Sequence, residues 1–485
     1  MDNLKSQGIK AFLWDFSGKF AQFGMSFFVS IILARLLEPS EFGLMAMVAV
    51  IVAITQIFTD GGLGLALIQR RKVLPIHYVS VFYFGITLAA LLGVVMFFSA
   101  KMISDFYANQ QLIPLVELMS FSFLLGALSS VQSTMLRKDI NYKLITKLQL
   151  IASFLSGVVG VSFALYGAGV WSLVLQHLSH GIVYNVLIWN MVHWRPSLSF
   201  SFKALVQLWG YGFRMFLSTL LESVFSRLDY MIIGRLYMPS ILGYVQRAKS
   251  LNLLLTGFSA DSLMSVLFPL LSKVQTDLQR FQRIVLKALS VVSFMTFLLI
   301  AILFINSEEI IIILFGEQWL PSAHYFKILT LSGFAYPVSA LLVNILSSRG
   351  NSKAFLRLEI YKKMITSMNL VILYFFGIET FLYGLIVEST LNVFLNVFFA
   401  SRELKLSPIK IARPILTQAV IAFVAINGTA VILQHVSTVD IVNLVSKIFC
   451  VTILYFVTNI VLRTESFSII VNEVRVLIRK YVNAG

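Results

Sequence analysis

The chain has 485 residues, of which 58% are hydrophobic and only 12% charged, about half the roughly 25% charged share of a soluble globular protein. That balance excludes a soluble multidomain protein and a disordered chain, and a single cysteine, Cys450, excludes a disulfide scaffold. The 38 Lys and Arg against 22 Asp and Glu give a net charge of +16; these charges punctuate apolar runs, so they read as basic loops of a membrane protein and not as a nucleic-acid surface.

A span with a short loop takes roughly 35 residues, about 20 of them apolar, so the length holds about fourteen spans and no sizeable soluble domain. The start, MDNLKSQGIKAFLWDF, lacks a small-residue cleavage site behind a short apolar core, so the first apolar segment is expected to be retained. Helices are expected at 12–37, 43–67, 77–100, 112–135, 145–166, 168–192, 204–235, 241–271, 284–305, 325–347, 354–376, 379–400, 411–434 and 441–462. The segments 204–235, 241–271 and 354–376 carry the most charge.

Loop charge supports this alternation. With the N-terminus inside, the inner loops hold Arg70, Arg71 and Lys72; Arg137, Lys138, Lys143 and Lys147; Arg195 and Lys203; Lys273, Arg280 and Arg283; Arg349 and Lys353; and Arg402, Lys405, Lys410 and Arg413. The outer loops hold chiefly Arg35, Lys101 and Arg235, and the loop expected at 306–324 is acidic, with Glu308, Glu309 and Glu317. Cations kept to one side predict fourteen helices with both termini cytoplasmic.

An internal repeat organises the chain. Residues 33–44 read LARLLEPSEFGL and residues 233–244 read IGRLYMPSILGY. At a constant offset of 200, Arg35, Pro39 and Gly43 match Arg235, Pro239 and Gly243. A weaker echo pairs Leu13-Trp14 and Lys19 with Leu208-Trp209 and Arg214, at an offset of 195. Six helices separate the copies, and an even number returns the chain to the same side, so the halves relate by an axis along the membrane normal. The expected domains are an N-lobe of helices 1–6 at 1–200, a C-lobe of helices 7–12 at 201–405, and two appended helices with a tail at 406–485. The fold class is therefore all-α and polytopic.

Several chemistries are missing. There is no Walker-type nucleotide loop; Asp60-Gly61-Gly62-Leu63-Gly64 is glycine-rich without its lysine and is expected to end the second helix tightly. His177 and His180 share a face at i,i+3 and read first as helix–helix hydrogen bonding, second as a proton-handling pair. No metal or cofactor is expected. Charges within spans carry more information, because each costs about 2.5–3.5 kcal/mol on insertion scales and so faces protein or water. Lys19, Arg214, Arg227, Arg247 and Lys249 are candidate walls of a cation-lined cavity. Asp15, Glu222, Asp229, Asp261 and Glu388 are candidate coupling or cavity carboxylates. Such a cavity suits a phosphate, which arginine grips as a fork and lysine as a point charge. Lys19 and Arg214 occupy the same place in the repeat, and Asp15 with Lys19 forms an i,i+4 pair.

Leu33-Ala34-Arg35-Leu36-Leu37 through Phe42-Gly43, the run from Asp60 to Gln69, Leu228-Asp229-Tyr230 through Leu236, Leu242-Gly243-Tyr244 through Arg247-Ala248, and Phe268-Pro269-Leu270-Leu271-Ser272-Lys273 resemble the colanic-acid-exporter-type polysaccharide flippases of the multidrug/oligosaccharidyl-lipid/polysaccharide exporter superfamily. The resemblance covers most of residues 10–400. It implies a two-lobed bundle working by alternating access, and an undecaprenyl-diphosphate-linked oligosaccharide repeat unit as substrate. It also implies a bacterial inner-membrane location beside polysaccharide polymerase machinery. A single chain can hold both lobes, so a functional monomer is expected, and the charge pattern leaves no nucleic-acid partner to expect. Helices 13–14 would form a groove for the lipid tail, as in the related lipid II flippase. Competing readings are a lipid II flippase, an exporter of small cationic drugs, whose cavity should be acidic, and a membrane glycosyltransferase or polymerase, which should show a larger outer loop.

Overall fold

A lipid-facing backbone has to satisfy its own hydrogen bonds, and the computed structural model is helical, with no strand among the described residues. It describes residues 2–60, 62–253, 277–349, 351–433 and 441–482, together with 267, 271 and 274; side chains are described from 17 onward except at 19, 59, 60, 352, 473, 474 and beyond 475. Nine stretches among the described residues are long and apolar enough to cross a membrane. The chain forms two compact units, Met1–Gly243 and Tyr244–Gly485.

The first unit begins with α1 (Asp2–Leu36), α2 (Pro39–Asp60), α3 (Leu63–Gln69) and α4 (Pro75–Phe98). It continues through α5 (Ala100–Tyr107), α6 (Leu112–Met119), α7 (Ser122–Lys138), α8 (Tyr142–Leu165) and α9 (Trp171–Met191) to α10 (Phe202–Phe225), α11 (Leu228–Leu236) and the start of α12 (239–253). Leu63, Leu67, Phe82, Val131, Leu205 and Leu208 bury one another where α3, α4, α7 and α10 meet. Polar side chains also join α9 to α7: Asn185 Nδ2 donates to Leu125 O at 2.7 Å and Trp189 Nε1 to Leu128 O at 3.0 Å. Such contacts between membrane helices contribute about 0.6 kcal/mol each on average.

The second unit contains α13 (Leu278–Ile305), α14 (Ser307–Phe315), a 3₁₀ turn at Glu317–Trp319, α15 (Leu320–Ser332) and α16 (Ala335–Ser348), then α17 (Ser352–Leu404), α18 (Pro408–Ile432), α19 (Ile441–Val461) and α20 (Glu465–Val482). The 53 residues of α17 are two arms: Gly377, at φ 86° and ψ 177°, leaves the helical region between them. Thr366 Oγ1 donates to Glu388 Oε1 at 2.6 Å, whereas a straight helix would hold these residues about 33 Å apart at 1.5 Å per residue. The arms therefore fold back on each other. A buried network ties α18 and α19 together, with Tyr455 Oη donating to Gln418 Oε1 at 2.6 Å and Gln418 Nε2 to Asn459 Oδ1 at 2.9 Å, and the Tyr455 ring packs on Phe294 of α13 at 5.1 Å.

Helix starts follow capping chemistry. Asn141, Ser201, Asp277, Asn351 and Ser407 each accept from a backbone N–H three residues on, satisfying a donor the helix itself leaves open. These five caps precede five of the seven helices expected to start on the inner side. The expected helices 43–67, 112–135 and 325–347 are each divided in two, and three further expectations need correction. The segment 204–235 is broken by a turn at Ser226 and Arg227, which lies between the two echoes of the repeat. The stretch 306–324 is helical and largely packed, because Ile311, Phe315 and Trp319 are buried. Finally, the tail forms the helix α20, which packs on α13 through Phe467 against Phe294.

Candidate functional site

One face of α7 carries small polar residues at helical spacing. Gly126, Ser130, Ser133 and Arg137 recur at i, i+4, i+7 and i+11, with Ser129 and Thr134 beside them. These residues wall a cavity of about 340 Å³ in the first unit, closed by Gly62, Gly64 and Ile68 and by Phe216 and Thr219 of α10. Gly62 opens α3 at φ +65°, and a Cβ there would lie 2.1 Å from Gly212 O. Only glycine permits both the left-handed turn and this approach of α10.

The hydroxyl protons are largely committed to protein. Ser129 Oγ donates to Leu125 O at 3.3 Å, Thr134 Oγ1 to Ser130 O at 2.9 Å, and Ser133 Oγ shares a 3.0 Å bond with Tyr184 Oη. Their oxygens keep acceptor capacity. Arg137 is exposed at the rim and supplies a planar donor fork. Its neighbour Lys138 plays a structural part, with Nζ donating to Leu67 O at 2.5 Å and to Arg70 O at 2.7 Å, a cation on the last carbonyls of α3 where the helix dipole favours it. A glycine-floored recess with hydroxyls and one guanidinium is suited to phosphoryl or sugar oxygens.

Beside this cavity, His77 is 2% exposed. Its Nδ1 accepts from Leu74 N at 3.1 Å, which places the ring proton on Nε2, 3.1 Å from Gln207 Oε1. Gln207 Oε1 also accepts from Arg70 Nη2 at 2.7 Å. The node joins the ends of α3 and α4 to α10.

The repeated turn adopts the same geometry twice. Helix stops at 36 and at 236 and resumes at 39 and at 239, and Leu37 N bonds Leu33 O as Tyr237 N bonds Ile233 O, both at 2.9 Å. The two copies pack reciprocally: a Cβ on Gly43 would lie 1.7 Å from Pro239 O, and one on Gly243 would lie 1.9 Å from Pro39 O. Arg35 is exposed, and the exposed Arg235 sits 5.8 Å over the Phe106 ring.

The charged candidates fall in both units. Asp15 and Lys19 lie in the backbone of α1 with side chains outside the described residues, and Asp261 lies outside them altogether. Arg214 is exposed on the side of α10 away from Gly212 and Phe216, so it does not join the α7 cavity. Glu222 is exposed, Arg227 is half-buried immediately before α11, and Asp229 is buried in the first turn of that helix, where its charge suits the helix dipole. Arg247 departs from the expected cavity wall: it is 5% exposed, with its guanidinium 4.8 Å from the Phe315 centroid and 5.0 Å from that of Trp319. The ring faces attract the cation and cover it. Lys249, two residues on, is half-buried on a different side of α12. Glu388 is half-buried, accepting from Thr366 and, at 3.0 Å, from Asn369 Nδ2. His180 stacks on Tyr184, with centroids 6.3 Å apart. A further carboxylate, Glu309, is 3% exposed and pairs with Lys447.

Residues 32–324 match the family described as polysaccharide biosynthesis protein. An uncharacterized membrane protein in the cps region of Klebsiella pneumoniae is 22% identical over 473 residues, covering 95% of this chain and 93% of that one. The lipopolysaccharide biosynthesis protein WzxC of Escherichia coli (strain K12) is 21% identical over 369 residues, 74% of each chain. Among solved structures, the lipid II flippase MurJ in its inward closed conformation has the same fold at 15% identity, with a TM-score of 0.73 over 92% of this chain and 98% of that one.

Proposed function

The chain belongs to the polysaccharide biosynthesis protein family, and from that premise we propose that it is a flippase for lipid-linked oligosaccharide repeat units in surface polysaccharide biosynthesis. It is a transporter, not an enzyme, and a multi-pass membrane protein. The observation that carries the reading is the family match across 32–324, joined to a flippase fold along most of the chain.

In this reading the substrate carries an undecaprenyl diphosphate and crosses a bacterial inner membrane by alternating access. Fourteen crossings with both termini cytoplasmic place the basic loops inside. The lobes are residues 1–200 and 201–405, with 406–485 appended, and the working unit is a monomer operating beside polymerase machinery. Lys19 and Arg214 meet the diphosphate first, and Arg227 and Lys249 lie further along its path. The carboxylates at 15, 222, 229, 261 and 388 are the pool for cation coupling. Arg137 and the α7 hydroxyls add a polar surface at the inner end.

The test is complementation of a deletion strain at matched membrane abundance, reading repeat units held inside the cell. Lys19→Ala/Arg214→Ala is expected to leave lipid-linked units accumulating, while Lys19→Arg/Arg214→Lys restores part of the export because charge survives and geometry changes. Full export by the double alanine variant removes the phosphate-binding role. A deletion strain that accumulates no lipid-linked units removes the flippase reading itself.

A further inference from the structure

An apolar groove lies on the other side of the α3–α10 crossing from the polar cavity. Leu63, Phe84, Phe202, Leu205, Val206 and Trp209 line about 320 Å³, within the range of small-molecule sites. Phe84 and Trp209 face edge to face at 6.4 Å between centroids. Through Phe84 the groove reaches a second recess of about 410 Å³ bounded by Tyr83, Thr87 and Leu198.

The edge of this slot is cationic. Lys203 and Gln207 are neighbours at i,i+4 on α10, and Gln207 holds Arg70 by the 2.7 Å bond to Nη2. Arg70 Nε donates to Lys72 O at 3.0 Å. These two bonds use two of the guanidinium's five donors. Arg71 and Lys72 are exposed in the same turn. The stretches that build the groove, 62–98 and 192–214, contain six Lys and Arg and no Asp or Glu.

A hydrocarbon slot with a predominantly basic edge, Asp139 being the one carboxylate near the 70–74 turn, matches an amphiphile with an anionic head. We propose that this groove binds an anionic glycerophospholipid of the surrounding bilayer, with an acyl chain along Phe84 and Trp209 and its phosphate at Arg70 and Lys203. Such a lipid bridges the 70–74 turn and α10, beside the His77–Gln207 node. The site requires only that the protein sits in a bilayer, so its test is separate from that of transport.

Trp209 provides the readout. The full-length protein is reconstituted into phosphatidylcholine vesicles containing either brominated-chain phosphatidylglycerol or additional brominated-chain phosphatidylcholine at the same mole fraction. The Trp209 signal is the difference between the wild-type chain and Trp209→Phe. Brominated phosphatidylglycerol is expected to quench that signal several-fold more effectively, and Arg70→Gln and Lys203→Gln should each reduce the preference about fivefold, as removal of one cation near an anionic lipid does. Equal quenching of the wild type by the two lipids overturns the proposal without reference to any variant. So does a preference that survives the Arg70→Gln/Lys203→Gln double substitution. Displacement of the brominated phosphatidylglycerol by an equimolar prenyl diphosphate also overturns it, because the groove is then a substrate site.

Discussion

Gly43→Ala would place a methyl carbon 1.7 Å from the Pro239 carbonyl oxygen, and Gly243→Ala would place one 1.9 Å from that of Pro39. Real Cβ contacts essentially never fall below 3.0 Å, so the opposing backbone has to retreat by about 1.3 Å and about 1.1 Å. Overpacking costs typically about 1–3 kcal/mol, and the upper half applies here because the blocking atoms are main chain, not the end of a flexible side chain. A loss of about 2 kcal/mol shifts the balance between paired and separated turns roughly thirtyfold. Two readouts check this: the thermal midpoint of the purified protein, and the rate at which an impermeant maleimide added outside labels Ser40→Cys in a chain with Cys450 replaced. Each alanine is expected to lower the midpoint and speed the labelling. The double variant should fall short of additivity, because the carbon added at 243 also lies 3.2 Å from Gly43 N. Wild-type midpoints and labelling in both single variants would refute the reasoning.

Lys447→Met leaves Glu309 buried without its cation and should cost about 3–5 kcal/mol. Glu309→Gln should cost less, because Lys447 is 20% exposed and can reach water; adding Glu309→Gln to Lys447→Met should recover most of the thermal midpoint, and an unrecovered midpoint argues against a charge effect. Single cysteines at Ile140 and Lys405 should label only from inside and one at Gln318 only from outside. Outside labelling at Lys405 breaks the fourteen-crossing topology.

Hydropathy located most of the long helices among the described residues, because a bilayer leaves an exposed backbone no other partner; most of the expected helix 241–271 lies outside those residues. It even separated the two arms of α17 to within two residues of Gly377. The repeat was legible because five shared residues, among them both prolines and both glycines, set one local geometry at 33–44 and 233–244. Charge alone misled at 306–324. Glu308, Glu309 and Glu317 suggested a solvated loop, yet Ile310–Phe315 is too short to span and long enough to pack, and it carries Glu309 under Lys447. The aromatic cover of Arg247 was illegible for a related reason: Phe315 and Trp319 lie far away in the chain and meet it only in the folded unit. Neither charge nor hydropathy marks the α7 cavity, because serines are neutral and hardly alter the apolar average of a span. A helical projection of Gly126, Ser130, Ser133 and Arg137 would have found it.

The turn at Gly377 bears on how the chain is made. A conventional loop would be a tether between two separately inserted spans. Here one non-helical residue joins the arms, so the second arm follows the first into the bilayer as its immediate partner. Glu388 then meets Thr366 and Asn369 on the opposite arm before α18 and α19 have left the ribosome. The carboxylate is solvated by its own hairpin at the moment when an isolated span would expose it to lipid. A peptide inserted at Gly377 would separate those partners during synthesis, and its first effect would be on membrane integration of this hairpin, ahead of any effect on the finished protein.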